Sequence, residues 1–138
     1  MTSILSRAAF AAAALLLLPA AADGAPLAGS WIGTSRCVDR ERAPACNDER
    51  IRFIFRDGGG GTLHLDARKW VGSAYDTMFE IDLTRDMASG GWVHDFETRG
   101  GAKARWTFAV GADGGLDGRL LERPSGAPLR EVKATRER

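Results

Sequence analysis

From Gly29 onward, apolar and polar positions alternate in short runs separated by glycine-rich turns about every ten residues, a spacing that marks an all-β meander. Ile51, Phe53 and Phe55 alternate with Arg50, Arg52, Ile54 and Arg56. After "DGGGG", Leu63, Leu65 and Ala67 alternate with Thr62, His64, Asp66 and Arg68, so the two runs predict a hairpin. A further run places Tyr75, Thr77, Phe79, Ile81 and Leu83 on one face, and after "ASGG" another places Trp92, His94 and Phe96 opposite Val93, Asp95 and Glu97. Ala104, Trp106, Phe108 and Val110 follow "RGG"; Leu116, Gly118 and Leu120 follow "GADGG"; Val132 and Ala134 mark a last run. With a first strand beginning at "GSW", this predicts about eight antiparallel strands in sequence order and no helix, a set that closes most simply into a barrel without exposed edges.

The segment before this pattern reads as an export signal. Arg7 supplies a positive n-region, Ala8 to Leu18 an apolar run too short to span a bilayer, and Ala20-Ala21-Ala22 the small residues of a cleavage site. Residues 1–22 are expected to be removed, which leaves 23–138 as a single domain with no membrane anchor and a periplasmic or secreted location. Removal takes one basic residue, Arg7, and no acidic one, so the 19 basic and 18 acidic residues of the whole chain come into formal balance. Charges of both signs interleave, as in "DRERAPACNDER", and no single-sign block is present to track a nucleic acid.

Cys37 and Cys46 are the two cysteines of an exported chain, and a disulfide is the expected state. Eight intervening residues fit neither a C-x-x-C redox motif nor usual zinc spacing, and no His lies nearby. His64 and Asp66 share one strand face and His94 the opposite one, so the two histidines do not converge on a metal. No Gly-x-Ser-x-Gly elbow is present, and "GGGG" lacks the Lys and Ser or Thr of a phosphate loop. Glu80 and Asp82 share a polar, outward face, where a solvated charge is the usual role. No catalytic residue, metal or cofactor is therefore assigned, and the expectation is a protein that is not an enzyme.

The "GSW" at the threshold of the first strand resembles the Gly-x-Trp that opens lipocalin-like (calycin) barrels. The resemblance implies that Trp31 plugs one end of a closed barrel beneath a basic side chain of the last strand. Arg136, which shares parity with Val132 and Ala134, is the matching residue, so Gly29, Trp31 and Arg136 form the expected barrel-closing set. A second stretch, "CVDRERAPACNDERIRF", resembles the Cys, Pro-Ala-Cys, Asp-Glu run of small secreted bacterial proteins without an assigned activity, and implies no chemistry.

Two readings of the interior stay open. Phe53, Phe55, Phe79, Trp92, Phe96, Trp106 and Phe108, with small partners such as Ala67, Ala104 and Gly118, either fill the barrel or line a small apolar pocket. In the second case Phe53, Trp92, Phe96 and Trp106 are the lining and His94 the polar anchor, and a small apolar ligand is the expected partner. In the first, the protein is an interaction module or enzyme inhibitor. The stretch "ARKWVGSAY", read as the longest connection between strands, then offers Trp70 as an interface anchor or a lid. Either way a monomer is expected.

Overall fold

The computed structural model describes residues 26–138, so the expected signal segment 1–22 lies outside the described residues. Eight strands follow in order: β1 (Gly29–Cys37), β2 (Glu49–Gly59), β3 (Thr62–Val71), β4 (Ala74–Arg85), β5 (Trp92–Glu97), β6 (Lys103–Val110), β7 (Leu116–Arg123) and β8 (Pro128–Arg136). Each pairs antiparallel with the next, and β8 returns to β1 from Trp31↔Arg136 to Cys37↔Arg130, closing the barrel. No helix is present among the described residues.

Alternation alone decides which side chains enter the barrel. Phe53 and Phe55 of β2, Leu63 and Leu65 of β3, Leu83 of β4, Phe108 of β6, Leu116 of β7 and Val132 of β8 are all buried, each flanked by more exposed neighbours on its strand. Phe108 is the centre of the packing. It meets Phe53 and Phe55 edge-on at centroid distances of 6.0 and 5.3 Å and stacks on Trp106 at 5.5 Å, the offset geometries that aromatic quadrupoles favour. Gly118 makes room for it, because a Cβ there would sit 2.7 Å from Phe108 Cε1.

Two expectations need correction. Tyr75 and Thr77 do not share a face with Phe79, because the β3–β4 register passes from Ala67↔Phe79 to Arg68↔Thr77 and leaves Met78 as an extra residue on β4. This β-bulge reverses the alternation: Met78 packs against the core, while Thr77 turns outward and donates to Asp66 Oδ1 at 3.1 Å. The stretch around Trp70 is also not a long connection. β3 runs to Val71 and β4 resumes at Ala74, so a tight turn at Gly72-Ser73 joins them and Trp70 pairs with Tyr75 near the hairpin tip.

Candidate functional site

One end of the barrel is sealed. Trp31 is fully buried and its indole N–H donates to the Leu27 carbonyl at 2.9 Å, which satisfies the one polar group it carries inward. The Arg136 guanidinium lies over the ring at 4.3 Å and donates to the carbonyls of Ala28, at 2.7 Å, and Pro26. Gly29 is favoured by its φ of 123°, which residues with a side chain rarely adopt, and a Cβ there would displace Arg136 Nη1 from 2.8 Å away.

At the opposite end, where the Cys37–Cys46 disulfide forms, the inward positions turn polar on one side. Ser35 and Cys37 continue the parity of Trp31, Glu49 that of Ile51, Lys69 that of Ala67, and Arg130 that of Val132. Arg130 gathers them. Its Nε donates to Ser35 Oγ at 2.9 Å and Nη2 to the Asn47 carbonyl at 2.7 Å, while Nη1 reaches Cys46 Sγ at 2.8 Å. Glu49 sits between Arg130 and Lys69, 3.4 Å from each. The remaining wall of this rim is apolar. Phe79 stacks on Trp106 at 5.8 Å, and Phe79, Ile81, Met78, Phe96 and Leu120 pack against the core while staying partly exposed.

His94 stands where β4 and β5 part. The two strands pair only at Thr84↔Val93 and Arg85↔Trp92, and the His94 Nδ1–H donates to the Asp82 carbonyl at 2.8 Å. His94 also stacks on Phe96 at 6.2 Å. An open cleft of about 390 Å³ lies beside this strand, lined by Asp95, Phe96, Glu97, Lys103, Ala104 and Arg123.

On the outer face, His64 is held between two carboxylates, Nδ1 at 2.9 Å from Asp82 and Nε2 at 3.1 Å from Glu80. Those hydrogen bonds, Asp82's first, raise its pKa above the ordinary histidine value. Glu80 and Asp82 are thus partnered carboxylates, not merely solvated ones. Asp66 shares the outward face as expected, yet is buried under Arg68, which donates to its Oδ2 at 3.0 and 2.6 Å; those bonds hold the carboxyl below its usual range. Among the described residues, no cluster of three His, Cys, Asp or Glu side chains is arranged to hold a metal. Trp70 lies on the same face near the hairpin tip, with Arg50 over its ring at 4.7 Å and Tyr75 edge-on at 5.1 Å.

The proposed pocket lining is therefore divided by the fold. Phe53 is 1% exposed in the middle of the core, and Trp92 is buried beside Phe108 with Arg85 over its ring at 5.6 Å, so neither reaches the open rim. Trp106, Phe96 and His94 do come together there, and Phe79, which sequence reasoning placed inward without assigning it to a site, joins them. The polar group of Ser35, Glu49, Lys69 and Arg130 was missed. Each continues the inward parity of its strand, but nothing along the chain shows that the four meet.

No protein-family model matches the chain, and neither curated proteins nor solved structures show a match to it. The molecule stands as an eight-stranded, closed, antiparallel barrel with a disulfide. That bond is compatible with an oxidising periplasmic or extracellular location.

Proposed function

We propose that the protein is an exported, monomeric binding protein of lipocalin-like architecture that takes a small apolar molecule at the aromatic rim and acts by binding, not catalysis. One observation carries this reading: Phe79, Ile81, Phe96, Met78 and Leu120 sit on the core at one end without being covered, while Trp31 and Arg136 seal the other. Uncovered apolar side chains at the mouth of a rigid barrel are the usual makings of a ligand site. Because the aromatic core fills the deeper barrel, the guest lies at the rim, over Trp106 and Phe79. The Gly-x-Trp and its covering arginine support the lipocalin-like reading, and Arg130 and Lys69 across the rim suit a guest with a polar end.

Native mass spectrometry of the protein purified gently from its host's exported fraction tests this. A small adduct lost on denaturation is expected. The bare mass of the mature chain less two hydrogens, with no change in Trp106 fluorescence on adding long-chain alkanols, overturns it. A second reading, an interaction module or inhibitor with a filled barrel, is favoured by the hairpin tip, where Trp70 and Val71 are 37% and 48% exposed. Large apolar groups left exposed beside an arginine suit an interface anchor.

A further inference from the structure

The β4–β5 ladder ends for a reason written in the charges. Asp86 N–H donates to the Gly91 carbonyl at 2.8 Å, so antiparallel alternation makes Thr84 and Val93 the next exchanging pair and Asp82 and Asp95 the one after. Continuing that register would set Asp82 directly opposite Asp95, and Glu80 opposite Glu97. Like charges directly across a ladder are destabilising, and the ladder stops before the first of them. Both sides turn away: Asp82 and Glu80 toward His64, Asp95 toward Arg105 at 2.7 Å. The His94 imidazole then takes the Asp82 carbonyl that the Asp95 N–H would otherwise have used.

Among the described residues, β4 from Ala74 to Asp82 consequently has a strand on its β3 side and none on the other. The outward face of that segment carries Glu80 and Asp82 and no basic residue, and the outward face of β5 adds Asp95 and Glu97, the latter across from Lys103. Inward of this acidic edge stand the partly exposed Phe79, Ile81 and Phe96. An unpaired edge selects an extended backbone, alternation sends successive side chains to opposite faces, and the charge on each face chooses them. We infer that the free edge of β4 is a docking site for an extended segment of another polypeptide, one whose side chains alternate apolar and basic. Its backbone pairs with β4, its apolar side chains lie on Phe79, Ile81 and Phe96, and its basic side chains face Glu80, Asp82 and Glu97.

This goes beyond the apolar-guest reading, which native mass reads separately, so each can fail alone. The test is amide hydrogen exchange of the mature protein with and without the peptide acetyl-Lys-Val-Lys-Phe-Lys-Val-Lys-amide. Slowing of exchange at the Glu80 and Asp82 amides by about tenfold or more is expected, with the effect abolished when the probe is N-methylated on its edge-facing residues. Replacing the probe's lysines by glutamates should also remove it. The variant Glu97→Gln, which removes an exposed carboxylate and leaves the core untouched, should weaken binding by about threefold at low salt. Three results overturn the proposal: no slowing at saturating peptide, slowing that N-methylation leaves intact, or a free protein whose β4 edge is already protected and which sediments as a dimer, the edge being then occupied by a second copy.

Discussion

Arg136 acts on both partners of the barrel plug at once: it covers the Trp31 ring and donates to two carbonyls of the segment leading into β1. Methionine keeps the stem and loses all three interactions, so Arg136→Met is expected to lower stability by about 1–3 kcal/mol, summing a cation–π contact and exposed hydrogen bonds. Urea unfolding followed by tryptophan fluorescence checks this, and a shifted midpoint with an unchanged slope is the expected form. His64 gives a second residue-scale test, because its sign is fixed by geometry. Its folded pKa is raised above the unfolded value of 6.5, so its contribution is fully present below that value and is lost as pH rises through the raised one. The site is a surface one, so the effect stays below about 1 kcal/mol. His64→Gln should flatten the difference in urea midpoint between about pH 5.5 and about pH 8.5; an unchanged difference would mean that Asp82 and Glu80 do not hold the imidazolium.

At the scale of the element, β4 is where the sequence pattern and the fold part company. Runs such as Ile51–Phe55 or Trp106–Phe108 are uninterrupted and were legible, since a period of two over several residues admits one assignment of faces. In β4 the bulge at Met78 shifts that period, and Tyr75 and Thr77 give no warning because either tolerates either face. The end of the β4–β5 ladder was equally hidden, because it depends on which residues come to lie opposite one another, and register is not visible along a single strand. Once register is known, the charges make a prediction: Asp95→Asn removes the like charge opposite Asp82, the first that the ladder would meet. The ladder should then extend, with slower exchange at the Asp82 amide. Unchanged exchange would mean that something other than Asp82 facing Asp95 ends the pairing.

For the molecule as a whole, every strand pairing but one joins strands that are neighbours in sequence. Seven of the strand pairs form through local connections, and only β1 with β8 brings the two ends of the domain together, so this last pair covers the outer edges of the two terminal strands and seats Arg136 on Trp31. The closure was legible because eight alternating runs in sequence order close most simply into a barrel, which the resemblance of Gly-x-Trp also implied; the polar rim was not, because Ser35, Glu49, Lys69 and Arg130 lie up to ninety-five residues apart and meet only after closure. Gly33 is the point on which closure turns. A Cβ there would run into the Lys133 carbonyl oxygen and come within 2.6 Å of Ala134 Cα, atoms of the backbone that cannot swing aside as a side chain does. Gly33→Ala should therefore force β1 away from β8 and cost about 3 kcal/mol or more, the upper range for overpacking. Since the loss falls on the one long-range seam, it should also expose two strand edges, and gel filtration should show more concentration-dependent association than for the wild type. A variant that elutes and melts like the wild type would show that β1 and β8 can adjust their spacing, and that closure rests on the Trp31–Arg136 end alone.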